Sequence, residues 1–246
     1  MLIQVVRWLP GRQVIVVADM SYAAIELLAA VRQHLTVITR LRLDARLFDP
    51  PPVRQPGQRG RPRVSGARQP SLMQRLSNPT THWRRVTVTH WYGEHDRQLA
   101  IASGTALWYH PGKRVPIRWV LVRDPAGEFE AQALLCTDLA ADPVDVLSWF
   151  VRRWSVEVTF AEMRRHLGVE TQRQWSDQAI ARTTPALMGL FALVTLWAGD
   201  VLKDGWRPRQ AAWYAKSHLN FSDALAVRAP NYSAAVLRCP GSTKIR

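Results

Sequence analysis

The sequence predicts an α/β (α+β) fold in which a mixed sheet is flanked by helices and an antiparallel β-subdomain is inserted. Three patterns support this prediction: a strand–helix–strand unit in residues 1–48, alternating apolar and polar residues from 83 to 141, and a helical period from Asp142 to Gly168. Strands separated by a helix favour a parallel pair, whereas short strands joined by tight turns favour antiparallel pairs. Both kinds of pairing are therefore expected in this chain of 246 residues.

The composition indicates which classes of partner the chain can bind. It carries 33 Lys and Arg against 19 Asp and Glu, which gives a formal net charge of +14. Such a charge favours nucleic acid, whose phosphates Lys and Arg neutralise. We find no apolar run of about eighteen residues to span a bilayer, because the longest candidate, residues 187–199, suits a buried helix. With no signal-peptide pattern and two cysteines without metal-type spacing, we expect no membrane partner and a cytoplasmic location.

Residues 1–48 form the predicted strand–helix–strand unit. The run VIVVA ends at Ala18, is rich in β-branched residues, and is followed by a helical pattern and by TVITRLRL. Asp19 directly follows this first strand, at the edge where open α/β sheets usually place functional side chains. The alternative for Asp19 is an ordinary helix N-cap, and this segment alone does not decide between the two.

Residues 49–82 form a basic segment rich in Pro, Gly and Arg. No Asp or Glu occurs between Asp49 and Glu94, and few large apolar groups are present. Such a composition cannot form a packed core alone, so we expect a loop or a disordered arm. The alternative to phosphate contact is a solvated linker. The candidate phosphate-binding side chains are Arg54, Arg59, Arg61, Arg63 and Arg68.

Residues 83–141 are predicted to form the inserted antiparallel β-subdomain. Its aromatic side chains, including Trp91 and Tyr92, either stack on exposed bases or form the apolar face of a sheet, and the second role is the more common. Residues 142–203 are predicted to form a long helix and then buried helices. Residues 204–246 are predicted to be a poorly ordered tail.

The long helix is predicted to run without a break from Asp142 to Gly168. Asp142 suits the N-cap, Pro143 suits the first helical position, and Gly168 suits the C-terminal end. On such a helix one face of about 60° holds four residues. These are Phe150, Arg153, Glu157 and Arg164. From spacing alone, an ordinary i,i+4 salt bridge between Arg153 and Glu157 explains the pattern as well as an active site does.

Further along, Ser176 suits the N-cap of a second helix that is interrupted or kinked near Pro185. The helix then becomes apolar on nearly all sides, which predicts burial. Gln172 and Gln174 precede it and are candidates for contact with a DNA backbone.

The run FVRRWSVEVTFAEMRRHLG resembles the helix signature of bacterial insertion-sequence transposases of the DDE superfamily. That signature reads Tyr, two residues, Arg, three residues, Glu, six residues, Lys. Its spacing matches in full, with Phe150 in place of Tyr and Arg164 in place of Lys. Flanking strings such as VVADMSYAAIELL, GRPRVSGARQP and VETQRQWSDQAIARTTPALMGLF look like the same family. The resemblance thus extends to about Ala226.

The resemblance implies an RNase-H-like catalytic domain in which Asp19 is the second catalytic Asp and Glu157 the catalytic Glu. Both would be metal ligands, for Mg²⁺ or Mn²⁺ in a two-metal site of the intact parent. Arg153 and Arg164 would position the scissile phosphate. The implied partners are double-stranded DNA, as element ends and target, and a second copy of the chain in a synaptic complex.

The family's first Asp would lie upstream of Met1, so we expect a truncated transposase that is inactive by itself. One alternative is a catalytically inactive DNA-binding remnant that inhibits a full-length transposase. Another is a general basic RNA-binding protein in which Glu157 has no role.

Overall fold

The computed structural model describes residues 1–54, 56–57, 59–92, 94–110, 113–171, 173, 175–203 and 220–226. The chain divides into two compact units, Met1–Trp154 and Ser155–Arg246. The helices are α1 (Leu2–Trp8), α2 (Ile25–Val31), α3 (Leu72–Ser77), α4 (Pro143–Val151), α5 (Ser155–Leu167) and α6 (Asp177–Lys203). The strands are β1 (Ile15–Val17), β2 (Thr36–Leu41), β3 (Leu47–Phe48), β4 (Arg84–Trp91), β5 (Glu94–His110), β6 (Lys113–Arg123) and β7 (Gln132–Cys136).

A seven-stranded mixed sheet forms the centre of the first unit. Its strand order is β1-β2-β7-β6-β5-β3, and β4 pairs with β5 beside this path. β1 and β2 run parallel, with Ile15 opposite Thr36, and the other neighbours are antiparallel. This mixed sheet flanked by helices is consistent with an RNase-H-like α/β fold and confirms the predicted fold class. The strands of segment 83–141 continue the sheet that β1 and β2 begin.

Each face of the sheet packs against its own helix. Because successive strand residues point to opposite faces, Leu135 joins the core cluster that contains Leu28 of α2, and Leu134 joins the cluster that contains Leu147 of α4. All four leucines are fully buried, and each contributes on the order of 2 kcal/mol. Burial also raises the pKa of the Cys136 thiol to about 11. The two helices thereby hold β7 between them.

The long strand β5 has a gap along one of its edges. β4 pairs with it only as far as Ile101, and β3 pairs with it only from Leu107. Between these points, the described strands leave residues 102–106 without a neighbour on that side. The carbonyl of Thr105 faces the gap, where it accepts a hydrogen bond from Gln69 Nε2 at 3.2 Å.

An ionic cluster holds the turn that follows β6. Arg97 donates to Asp124 Oδ2 at 2.7 Å, and it also pairs with Glu94 and Glu128. Burial would raise the pKa of Asp124, but backbone N–H groups of Ala126 and Glu128, together with Arg97, bring that pKa below its ordinary value.

We predict that this cluster contributes stability that acid removes. The unfolded Asp124 has a pKa of about 3.9, and its folded pKa is lower. Its contribution to the free energy of unfolding is therefore complete above the unfolded pKa and is lost as pH falls through the folded pKa. Urea unfolding between about pH 5 and pH 2 should show a smaller pH dependence for Asp124→Asn than for the wild type. Asp145→Asn, at an exposed position, is the control, and equal slopes for all three proteins would contradict the prediction.

The prediction of one continuous helix from Asp142 to Gly168 is wrong. The Asp142 cap is confirmed, since its Oδ1 accepts from Val144 N at 2.7 Å, but α4 ends at Val151. A 3-10 turn, Arg152–Trp154, follows it before α5 begins at Ser155. Phe150, Arg153 and Glu157 therefore belong to three different elements rather than to one helical face.

In the second unit, Ser176 caps α6 as predicted, because Ala179 N donates to its Oγ at 3.2 Å. α6 is a single helix that contains Pro185. Residues 221–226 are helical, which the predicted poorly ordered tail did not anticipate, and Phe221 stacks on Phe191 with ring centroids 4.5 Å apart. The other tail residues, 204–219 and 227–246, lie outside the described residues.

The predicted burial of α6 is also wrong. Met188, Leu190, Leu193 and Leu196 are 40–67% exposed. Within the described residues, the stretch Asp177–Asp200 is long and apolar enough to cross a membrane, judged by length and composition only. A single such helix is weak evidence for a membrane span. It nevertheless removes the sequence argument against a membrane, which rested on finding no apolar run of sufficient length. Hydropathy shows that this helix is apolar and does not show what covers it.

Candidate functional site

Asp19 lies at the carboxyl end of β1, as the sequence predicted. Its side chain is exposed, and Oδ1 accepts a hydrogen bond from Met20 N at 2.8 Å, which caps a 3-10 turn at Met20–Tyr22. The Thr39 hydroxyl of β2 donates to the Asp19 carbonyl at 2.6 Å and fixes the backbone there. Asp19 is thus both a local cap and an accessible strand-end carboxylate. A carboxylate has about four acceptor positions, so one backbone bond leaves it able to bind a cation.

Arg40 is a residue that the sequence reasoning missed. It follows Thr39 on β2, its side chain is exposed, and its guanidinium carbon lies 6.0 Å from the ring centroid of Phe150. A basic residue near the end of the strand beside β1 is the signal that would have found it. Arg40 thus places a positive charge on β2, one residue after Thr39, whose hydroxyl bonds to the Asp19 backbone.

An aromatic cleft of about 320 Å³ adjoins Arg40. Trp91 and Phe129 line it as a stacked pair with centroids 5.3 Å apart, and Tyr92 meets Trp91 edge to face. Trp91 is 5% exposed and Tyr92 is 38% exposed. From sequence, these aromatic residues were expected either to stack on bases or to form the apolar face of a sheet. In the structure Trp91 is mainly a core residue, whereas Tyr92 reaches solvent.

Phe150 is 2% exposed and packs in the cluster beneath α4. Its ring therefore offers little surface to DNA. The predicted phosphate-contact role of Phe150 gains no support from this burial, and the accessible group at this place is Arg40.

The remaining helix residues of the resemblance lie farther along the chain. Arg153 is half-buried in the 3-10 turn that ends the first unit. Glu157 is half-buried in the first turn of α5. Arg164 is exposed, and its Nε donates to Glu170 Oε2 at 2.7 Å, so a carboxylate already occupies one of its donors. In the described part of the chain, no group of three or more His, Cys, Asp or Glu side chains is placed to hold a metal ion.

The basic segment brings three of its five candidate arginines together. Arg54, Arg59 and Arg63 line a cleft of about 220 Å³, and Arg54 Nη2 donates to the carbonyl of Gly60 at 3.3 Å. Gly60 has a φ of 99°, which glycine adopts without the strain that a Cβ would cause. This is the densest arrangement of predicted phosphate-binding side chains in the described loop.

The other predicted DNA contacts lie elsewhere. Arg61 is exposed and outside the lining of that cleft, and Arg68 forms an antiparallel bridge with Phe48. Gln172 and Gln174 lie outside the described residues.

The fold is a mixed α/β sheet consistent with an RNase-H-like arrangement, and the exposed carboxylate of Asp19 lies at the end of its strand β1. Residues 1–97 match the model of a family described as DDE superfamily endonuclease. The matched part holds Asp19, Arg40 and the arginine cleft, and it ends before Glu157. The match supports a relationship to the DDE superfamily and suggests nuclease or transposase-type activity. Members of that superfamily generally use divalent metals and act on DNA. A comparison with curated proteins finds no match.

Proposed function

We propose that the chain functions in DNA transposition, as a transposase of an insertion sequence. The activity proposed is metal-dependent cleavage and strand transfer at element ends. The observation that carries the proposal is the exposed carboxylate of Asp19 at the end of β1, within the part that matches a DDE superfamily endonuclease. The sequence spacing of Arg153, Glu157 and Arg164, which resembles the family signature, supports it independently because these residues lie outside the matched part.

In this proposal Asp19 and Glu157 are ligands of Mg²⁺ or Mn²⁺. Carboxylate oxygens are the donors these hard cations take, and Mg²⁺ keeps several waters, so one or two protein carboxylates are enough. A metal held by these carboxylates would supply polarisation of the phosphate and activation of the attacking oxygen. The chain's own residues contribute charge: Arg40 and Arg153 supply positive charge for the phosphate, and Arg164 offers the donors that Glu170 leaves.

A second candidate function is DNA binding without catalysis, which would inhibit a full-length transposase. The arginine cleft favours it, since Arg54, Arg59 and Arg63 can hold phosphates whether or not Asp19 and Glu157 bind a metal. The resemblance also matches only two of the family's three acids to positions of this sequence. A homodimer and a cytoplasmic location remain part of the proposal.

Iron-mediated self-cleavage would test the metal site without requiring enzyme activity. Fe²⁺ with ascorbate and peroxide should cut the purified chain near residues 19 and 157, because radicals form at the bound metal. Glu157→Gln or Asp19→Asn should each remove both cuts. Glu26→Gln, which also changes a first-turn Glu, should keep them. Cuts that persist in both variants would refute the assignment of these ligands.

Cleavage of labelled DNA that carries element ends, in Mg²⁺ or Mn²⁺, would decide between the two candidate functions. Metal-dependent cutting by the wild type that is lost in Glu157→Gln and kept in Glu26→Gln would support the transposase and would overturn the expectation that this chain is inactive by itself. Salt-dependent DNA binding without any cutting would support the second candidate. Binding to RNA with equal affinity, unaffected by either acid variant, would contradict both.

A further inference from the structure

A separate cleft of about 380 Å³ opens beside the gap in β5. Ser103 and Thr105 of the unpaired stretch line it, with Arg75 of α3 and Trp119 of β6. Neither Asp19 nor any arginine of the basic-loop cleft is among its lining residues, so it is distinct from the regions assigned above.

Two hydrogen-bond donors at this cleft lack partners within the described structure. These are Nε of Arg75 and Nε1 of Trp119, and both atoms are buried. Trp119 is only 4% exposed, and the guanidinium carbon of Arg75 lies 4.9 Å above its ring centroid. Buried N–H groups are nearly always paired in native proteins, so two orphaned donors in one place indicate an absent acceptor. Arg and Trp side chains only donate hydrogen bonds, so the absent partner must offer acceptor lone pairs and needs no N–H or O–H group of its own.

The charge around the cleft selects an anion. Arg75 and His82 are among its lining residues, whereas no Asp or Glu is. Asp49 bonds to one lining residue, since its Oδ1 accepts from Gln69 Nε2 at 2.8 Å, and this carboxylate is thereby engaged. A guanidinium whose neighbours are neutral prefers an oxyanion, with which it forms short charge-assisted hydrogen bonds.

The surrounding groups hold Arg75 and Trp119 in place. Gln69 Oε1 accepts from Arg75 Nη2 at 3.4 Å, while its amide nitrogen donates to Thr105. Gly104 allows the indole to approach, because a Cβ there would lie 2.7 Å from Cζ2 of Trp119. The site is therefore built around the stacked pair rather than formed by a mobile surface arginine.

We propose that this cleft binds a phosphate-type oxyanion, with Arg75 and the indole N–H of Trp119 as its donors. The anion comes either from free phosphate or from the phosphodiester of a nucleic acid, since the same oxygens would accept these bonds. The inference does not depend on the proposed transposase function.

Calorimetric titration of the full chain tests the site. The probes are inorganic phosphate and the dinucleotide dTpdT, each against chloride at matched ionic strength. Arg75→Met should weaken binding at least tenfold, because it removes a charged donor. Arg32→Met, which removes the same charge from the exposed C-cap of α2, should leave affinity within about twofold. Phosphate binding alone identifies a free anion as the ligand, and dinucleotide binding alone identifies a phosphodiester.

Two further measurements keep the test decisive if Arg75→Met folds poorly. Gly104→Ala should weaken binding because it displaces the indole. In ¹⁵N-labelled wild type, the Trp119 indole signal, identified by its absence from Trp119→Phe, should shift on saturation with the anion. The proposal is overturned if neither probe binds saturably, if Arg32→Met loses as much affinity as Arg75→Met, or if the Trp119 signal does not move.

Discussion

Replacing Arg54, Arg59 and Arg63 by glutamine is expected to weaken the binding of duplex DNA about 500-fold at 0.1 M salt. The three side chains line one cleft of the basic segment, so a DNA backbone that approaches it meets all of them. Each neutralised phosphate contributes about −0.9 to the slope of log K against log salt, and three contribute about −2.7. Extrapolated to 1 M salt, where this contribution vanishes, the wild type and the variant should bind alike.

Fluorescence anisotropy with a labelled duplex, measured from 50 mM to 400 mM salt, gives both the affinity and the slope. Arg7, Arg12 and Arg32, changed together to glutamine, form the matched control. They remove the same net charge at exposed positions outside the cleft. A loss of affinity that is equal in the two triple variants would show that only net charge matters. A wild-type slope near zero would exclude phosphate contact altogether.

The parallel pair of β1 and β2 was accessible from sequence because its signals are local. β-branched residues form the strand before Asp19, and a helical period separates it from the next strand. The chain can join strands that lie side by side and parallel only through such a crossover. The position of Asp19 at a strand end follows from these signals, and so does the predicted fold class.

The break after α4 had no comparable signal. No Gly or Pro lies between Val151 and Ser155, so propensity gives no reason for α4 to stop there. The buried residues of α4, such as Val146 and Leu147, pack on the sheet, whereas α5 belongs to the second compact unit. Tertiary packing thus overrode a helical period that the sequence alone extends to Gly168.

The gap in β5 is equally invisible to a sequence pattern. Alternation in RQLAIASGTALWYH predicts a strand, but it does not state which neighbours pair with each part of that strand. The register of β4 and of β3, set far away in the chain, leaves residues 102–106 open. Arg75 and Trp119 are 44 residues apart in sequence and meet only because of this arrangement. The exposed face of α6 shows the same limit, since hydropathy does not specify a partner.

Phe150→Ala is expected to cost about 3–5 kcal/mol in the free energy of unfolding. Its ring is 2% exposed and packs with Ile38 of β2 and Leu147 of α4, so truncation leaves a cavity between helix and sheet. Because whole domains are stable by about 5–15 kcal/mol, the variant should unfold at much lower urea. Phe150→Leu retains most of the volume and should cost less than about 1.5 kcal/mol.

This series separates a core role for Phe150 from a DNA-contact role. Changing a side chain that contacts DNA should weaken DNA binding and leave the free energy of unfolding unchanged. Changing a core side chain should lower the free energy of unfolding and leave the DNA affinity of the folded protein unchanged. Trp154→Ala is the control, because Trp154 is a large aromatic residue four positions from Phe150 and is 48% exposed. Its removal should lower the free energy of unfolding by less than about 1 kcal/mol. If folded Phe150→Leu binds DNA as tightly as the wild type, the aromatic position of the signature acts by supporting the strand that carries Arg40. Weaker DNA binding by Phe150→Leu at unchanged stability would instead assign the ring to the DNA interface.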